Sequence, residues 1–433
     1  MTDTSDQAGK LGPFLAMIVV AGGMIGSGIY LLPASLAAFG SLSILGWGLA
    51  ILGALMLGGV FSFLAILRPQ APGLFAYVRD ALGPGAGFVA GVVYWAVCWV
   101  GNVPIAIGVT GYLSVFFPQL ARPPAATLTS LAVLWLLVGA NLIGPKFVAR
   151  LGAWALVLGL APVFLVAVGG WFYFRPAIFA ASWNVTHEAL WKAVPASAVI
   201  AFFGFLGVEY ASVIAPLVRE PARNVPIATL GGLAFAALVY VAMSGVIMGI
   251  LPAAVLVRSS APVAAAAAPL LGGLVAGAVA LCAMLKACGA LGAGILAAAE
   301  TARSDAVMKP IGARAGPEQR RVKASAGNLV LVGLMMSLVT VASASPSLGR
   351  QFTIVADVTV VLSMAVYTAA CVALMLISNE ERGPRRVLIR ACAIGGGLFS
   401  CGMIAASEAD LLLWSAAAVA IATGAYALLR ARS

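Results

Sequence analysis

Residues 22–28 read Gly22-Gly23-Met24-Ile25-Gly26-Ser27-Gly28 in the middle of the first long apolar run, and residues 204–209 read Gly204-Phe205-Leu206-Gly207-Val208-Glu209 in the middle of the sixth. Glycine weakens a helix and lets its backbone unwind. Two such interruptions five spans apart, the second beside a carboxylate, point to an inverted-repeat carrier with its site at mid-membrane. Either stretch alone reads equally well as small residues that let helices pack closely, because the chain holds 49 glycines. The pairing favours a site.

Outward from these breaks, composition sets the class. Of 433 residues, 63% are hydrophobic and 9% charged, unlike a soluble domain. A membrane-crossing helix needs roughly 20 apolar residues, and the apolar runs here are too long for barrel strands. Splitting at charged and Pro/Gly-rich stretches gives twelve spans, starting near Gly12, Leu42, Gly85, Ala125, Arg150, Ala193, Pro226, Leu271, Ala326, Phe352, Val387 and Leu411. The expected fold is therefore an all-α polytopic membrane protein, one transmembrane domain over residues 1–433. The longest polar connection, Thr301 to Lys323, is too short for a domain of its own. The first run, about Leu11 to Ala38, is too long for the core of a signal peptide.

The net charge of +11 raises the question of nucleic acid. With the N-terminus taken as cytoplasmic, nineteen of the 25 Lys and Arg fall on that side, against five (Arg122, Arg175, Lys192, Arg258, Arg350) on the other; Lys286 lies inside a span. This asymmetry is a topology signal that puts both termini in the cytoplasm, and it removes the nucleic-acid reading. The six cysteines lie within apolar runs without metal or redox spacing, and read as small buried apolar residues. No cofactor or metal is expected.

A longer set of motifs carries a family resemblance. Gly26-Ser27-Gly28-Ile29-Tyr30-Leu31-Leu32-Pro33-Ala34, Tyr94-Trp95 with Cys98-Trp99 and Gly101-Asn102, Gly207-Val208-Glu209-Tyr210-Ala211-Ser212, and Glu220-Pro221-Ala222-Arg223-Asn224-Val225-Pro226-Ile227-Ala228 resemble the bacterial basic amino acid/polyamine antiporters of the amino acid-polyamine-organocation superfamily. The arginine/agmatine and ornithine/putrescine exchangers are similar relatives. The resemblance implies a LeuT-like five-plus-five inverted repeat with discontinuous helices 1 and 6. Repeat 1 would cover about 12–175 and repeat 2 about 193–378, followed by two extra helices over about 387–430. It also implies a bacterial inner (cytoplasmic) membrane location, an amino acid or amine cargo, lipid as surroundings, and a homodimer as one candidate assembly.

Unwinding at Gly26, Ser27 and Gly28 would expose backbone NH groups at the start of a half-helix, where the dipole favours a carboxylate. Carbonyls of Met24, Phe203 and Leu206 would receive an ammonium group. By similarity the side-chain pocket falls to Val97, Cys98, Asn102, Ile105, Leu206, Gly294 and Thr359, with Tyr94 as a gate. Asn102, an amide in an apolar span, must find partners; tying two helices together is its structural alternative. Three positions depart from the relatives: Gly23 replaces Asn, and Phe203 and Gly294 each replace Trp. Loss of an indole at Gly294 would remove a stacking surface for a cation and widen the pocket. Val97 for Ala is a smaller change.

Three charges lie within spans: Glu209, Lys286 and Asp357. Such charges are costly and usually functional. Glu209 matches the family's proton-sensing carboxylate; its alternative is a carboxylate held permanently by backbone and hydroxyls. Lys286 precedes Gly294 by eight residues, and so shares its helix face. Its ammonium is a candidate for the cation position that sodium fills in sodium-coupled relatives, which would make transport sodium-independent; an ion pair with Asp357 or Glu209 is the competing reading. Asp357 lies on a different face from Thr359, and either meets a cationic cargo or neutralises Lys286. Exchange of an amino acid, cationic or neutral, with its amine product is the leading expectation, with a proton-coupled symporter or exporter as the alternative. An intramembrane enzyme fits poorly, since the single His187 falls in a loop and no HExxH or Gly-x-Ser-x-Gly occurs. A channel would want polar rings along a pore.

Overall fold

Proline and glycine punctuate this chain, and its helices begin and end on them. A computed structural model describes residues 10–26, 28–69, 73–301 and 326–431. The helices are α1 (Pro13–Met24), α2 (Gly28–Leu36), α3 (Ser43–Leu67), α4 (Leu74–Leu82), α5 (Pro84–Val100), α6 (Val103–Leu113), α7 (Ala125–Ile143), α8 (Pro145–Phe164) and α9 (Pro176–Ala181). They continue with α10 (Leu190–Phe202), α11 (Tyr210–Ile214), α12 (Pro221–Ile250), α13 (Ala253–Leu256), α14 (Pro262–Thr301), α15 (Ala326–Ala342), α16 (Leu348–Ile377), α17 (Pro384–Ala405) and α18 (Ala409–Ala431). Among the described residues, seven units are long and apolar enough to cross a membrane: α3, α5 with α6, α7, α12, α14, α16 extended to Glu380, and α17. The α1–α2 pair, bent by 49°, makes an eighth.

Several spans start earlier than hydropathy placed them. The fifth begins at Pro145 rather than Arg150, the seventh at Pro221 rather than Pro226, and the tenth at Leu348 rather than Phe352. At the first two the reason is proline itself: at the first helical position its missing NH costs nothing and its fixed φ suits the helix, so a residue taken for a loop breaker is the helix start. Leu271, the expected start of the eighth span, lies inside α14, immediately before a break at Gly272 with φ of +83°. The polar connection from Thr301 lies outside the described residues beyond Thr301 itself. Of the six cysteines expected to be buried, Cys371 and Cys392 are, whereas Cys98, Cys282 and Cys288 are half-buried and Cys401 in α17 is exposed.

Packing sorts the long helices into two groups. In the first, α1 lies along α12, and α3 packs against both α10 and α12. In the second, α14 lies along α8 and also meets α6 and α7, while α15 packs on α7. α16 bridges them, touching α3, α5 and α6. The first group is cemented by aromatic rings: Trp47 stacks on Tyr240 at 5.0 Å, and Phe205 meets both edge-on at 5.7 and 5.9 Å. In the second, small residues allow close approach: a Cβ on Gly289 would come within 2.8 Å of Ala155 Cβ and 3.0 Å of Gly152 Cα.

The two interrupted helices are also tied together at both ends. At one end Leu11 NH donates to the Leu217 carbonyl (2.7 Å) and Arg219 NH donates to the Leu11 carbonyl (2.9 Å), forming an isolated parallel bridge. At the other, Ser41 and Leu42 NH groups donate to the carbonyls of Ser182 and Trp183, both at 2.8 Å. Gly40, with φ of +80°, makes that second junction possible, because a side chain there would overlap the Ser182 carbonyl.

Gly289→Leu forces a bulky side chain between α8 and α14, where the neighbouring atoms are backbone and Cβ. Overpacking of this kind costs about 1–3 kcal/mol, so the variant is expected to melt several degrees below wild type in a detergent thermal-shift assay. Gly48→Leu, which meets nothing within 4 Å, is the control and should leave the midpoint unchanged.

Candidate functional site

The first interruption follows Met24. Ile25 NH still reaches back to the Ala21 carbonyl (2.7 Å), Gly26 NH turns onto the Met24 carbonyl (2.7 Å), and α2 resumes at Gly28. Ser27 lies outside the described residues. The second interruption is longer. α10 ends at Phe202, a single tight turn covers Phe203–Phe205, Leu206 is extended, and Gly207 adopts φ of +101° before α11 begins at Tyr210. Gly207 is required twice over: by its left-handed backbone, and because a Cβ there would press to 2.9 Å on the Tyr210 ring.

Between the breaks lies a cavity of about 160 Å³. Met24, Gly26, Gly28, Tyr94, Val97, Cys98, Ile105, Phe203, Leu206, Glu209 and Thr359, all singled out from sequence, line it. Gly23, Gly101, Gly207 and Tyr210, which sit in the quoted motifs but were not assigned to the pocket, line it as well, as does Tyr240, which was not singled out. The signal that could have found Tyr240 is the hydroxyl: a phenol in an apolar helix needs a hydrogen-bond partner when buried. Tyr240 Oη donates to the Met24 carbonyl at 3.0 Å.

Glu209 sits at the second break, 5% exposed. Tyr94 Oη donates to its Oε1 at 3.0 Å, while Tyr367 Oη (2.6 Å) and Gly207 NH (3.1 Å) donate to its Oε2. Three donors converge on one acid, an arrangement that suits the acceptor-only ionised carboxylate. Tyr367, from α16, was not anticipated. Backbone and hydroxyls from three elements thus meet the carboxylate.

Four expectations change. The Met24 carbonyl is not free, since Gly26 NH and Tyr240 Oη both occupy it. Gly294 does not widen the pocket. A Cβ built there would overlap the Asn102 carboxamide, so the amide fills the space that a larger residue at 294 would take. Asn102 is buried, donates from Nδ2 to the Cys98 carbonyl at 2.8 Å, and does not line the cavity. At Gly23 likewise, a Cβ would come within 2.6 Å of the Tyr210 ring, so an aromatic ring closes the position where relatives carry Asn.

The last change concerns the other two charges. Among the described residues, no ion pair joins Lys286 to Asp357 or Glu209. Lys286 is 7% exposed, with its stem against Gly159 of α8. Tyr30 Oη, which donates to the Gly159 carbonyl at 2.7 Å, lies beside it, so Lys286 stands where α2, α8 and α14 meet. Asp357 faces a different cavity, at the end of the molecule away from Leu11. The structure thus gathers the backbone breaks, the aromatic rings and Glu209, and leaves Asn102, Gly294, Lys286 and Asp357 off the cavity wall.

The sequence model of the family described as "Amino acid permease" matches residues 11–426. The chain belongs to the amino acid permease family. It is a transporter of the amino acid-polyamine-organocation superfamily, not an enzyme. Over 265 residues it is 41% identical to the cadaverine/lysine antiporter of Escherichia coli K12, a match that covers 61% of this chain and 60% of that protein. It is 27% identical to the putrescine transporter PotE of Escherichia coli K12, covering 98% and 97% of the two chains. To the PotE of Haemophilus influenzae it is 28% identical, with 95% of each covered. These relatives are an antiporter and amine transporters, and the apolar helices of this chain suit a multi-pass membrane protein.

The Asn102–Gly294 contact predicts a coupled pair. Gly294→Trp alone should lower thermal stability and cargo binding, because the indole and the carboxamide compete for one space. In Asn102→Ala/Gly294→Trp the loss should shrink by about 1–3 kcal/mol, measured as a double-mutant cycle on ligand-induced thermal shifts. Additive losses would separate the two positions.

Proposed function

We propose that this transporter exchanges a basic amino acid for its decarboxylated amine by alternating access, with the cavity between the two breaks as the cargo site. The observation that carries the reading is that cavity itself, at once flanked by two unwound backbone segments and walled by tyrosine and phenylalanine faces. The start of α2 at Gly28 offers helix-terminal NH groups to a cargo carboxylate, with Ser27 a further donor candidate. Carbonyls at Phe203 and Leu206 are the partners for an ammonium. The rings of Tyr94, Phe203, Tyr210 and Tyr240 supply π-faces to a cationic side chain. The relatives' printed activities, cadaverine/lysine exchange and putrescine transport, support a basic cargo.

The reading extends to twelve crossings with both termini cytoplasmic, arranged as a five-plus-five inverted repeat with two further helices. The seven long units and the bent first pair support it, as do the shorter apolar helices Leu158–Tyr173, Leu190–Phe205 and Ala326–Ala342 and the final helix α18. So does the charge asymmetry of the loops.

Coupling falls to Glu209 and Lys286. Glu209 is the proposed proton-linked group: its hydrogen bonds reach Tyr94, the proposed gate, and α16 through Tyr367, so its charge bears on both. Lys286, an ammonium at the α2–α8–α14 junction with no carboxylate partner among the described residues, is the proposed replacement for a coupling cation, which makes transport sodium-independent.

Counterflow tests the exchange. In proteoliposomes preloaded with unlabelled cadaverine, labelled lysine uptake should be several-fold faster than in empty ones and unchanged when sodium is replaced by potassium. No acceleration by preloading would overturn exchange, and sodium-dependent uptake would overturn the role of Lys286. Under an imposed pH gradient, Glu209→Gln should flatten the pH dependence of lysine uptake. A profile identical to wild type would remove Glu209 from the proton path.

A further inference from the structure

Asp357, excluded from the central site, lines a cavity of about 440 Å³ bounded by the end of α2, the face of α10, the first turns of α16 and the turn before α18. That volume is within the roughly 300–1,000 Å³ usual for small-molecule sites. Asp357 Oδ1 is buried and has no hydrogen-bond partner. A carboxylate oxygen left this way is costly unless something meets it. Two further charges line the same cavity, Arg350 and Glu408, both exposed. Among the described residues none of the three is ion-paired. Hydroxyls add to the wall: Thr353 Oγ1 and Ser35 Oγ are hydrogen-bonded at 2.8 Å, and Ser407 lies beside Glu408.

Two carboxylates and one guanidinium form a charge pattern complementary to two ammonium groups and one carboxylate. We propose that this cavity is a second site for a basic amino acid, separate from the one between the helix breaks, with Asp357 receiving an ammonium at depth and Arg350 the cargo carboxylate nearer the mouth. The assignment rests on the proposed topology only for its placement on the outer side of the membrane. A diamine satisfies the two acids and leaves Arg350 unmet, so the site prefers the amino acid to its amine. Binding here concentrates the amino acid at the outer end of α2 and α10, the halves of the broken helices nearest that face.

The test is protection of an introduced thiol. In Ser407→Cys, reconstituted in nanodiscs, a charged maleimide should alkylate the new thiol, with wild type setting the background. Lysine should slow this several-fold, 1,5-diaminopentane less, and norleucine, its near-isostere without the second ammonium, hardly at all. Adding Asp357→Asn should abolish the protection, and Glu408→Gln, an exposed change that spares the core, should reduce it. Equal protection by lysine and norleucine, or full protection retained with both Asp357→Asn and Glu408→Gln, would overturn the site. Leu206→Trp, which fills the central cavity, separates the two readings: lysine transport should be lost while protection at position 407 persists. Loss of protection in Leu206→Trp would mean that the central site alone binds lysine.

Discussion

A helix interrupted inside hydrocarbon frees carbonyl and NH groups that water cannot reach, and each one left unmet costs several kcal/mol. This chain answers with tyrosines. Tyr240 meets the Met24 carbonyl at the first break, Tyr112 meets the Tyr30 carbonyl just beyond it, and Tyr30 in turn reaches Gly159 on α8. At the second break Glu209 takes the Gly207 NH, and Tyr94 and Tyr367 complete the acid. Because these hydroxyls come from different helices, satisfying the breaks also fixes where α5, α12 and α16 stand. The aromatic walls of the cavity are therefore a by-product of repairing the backbone, and the same rings then serve recognition.

The ties at both ends of the broken helices turn two local defects into one mechanical element. Leu11 is bonded to the segment after the second break, and Ser41 and Leu42 to the segment before it. A motion that tilts α1 must pull on residues 217–219, and one that tilts α2 must pull on residues 182–183. The close Gly289–Gly152–Ala155 contact holds α14 to α8 in the other packing group. Sliding is thus easiest along the surfaces between the groups, where the cavity lies, rather than within either group.

How much of this was legible in the sequence depends on the kind of signal. Gly204, Gly207 and Gly26 mark the breaks because backbone unwinding is a local property, and Glu209 stands out because a carboxylate in an apolar run has few structural excuses. Prolines at positions 145 and 221 misplaced two helix starts, since hydropathy cannot tell a breaker from a first helical residue. What was out of reach was the filling of space. Gly294 looked like room for cargo, yet Asn102, distant in sequence, occupies it, and the Tyr210 ring closes on Gly23 in the same way. Nor could spacing along single helices show that Lys286 and Asp357, both charged and both within apolar runs, form no ion pair among the described residues.

The distribution of charge sharpens the question of what the central cavity can recognise. Its one carboxylate already receives three hydrogen bonds, so a cationic cargo cannot have Glu209 at full strength without displacing a tyrosine. Attraction there must come mainly from carbonyl dipoles and ring faces, which favour a cation broadly but discriminate poorly among cations of similar shape. Asp357, Glu408 and Arg350, which form no ion pair among the described residues, carry the strong, directional charges at the proposed second site instead. A carrier that must release its cargo after every crossing gains from this division: weak, aromatic contacts at the site that opens to both sides, and explicit charge matching only where cargo is first met.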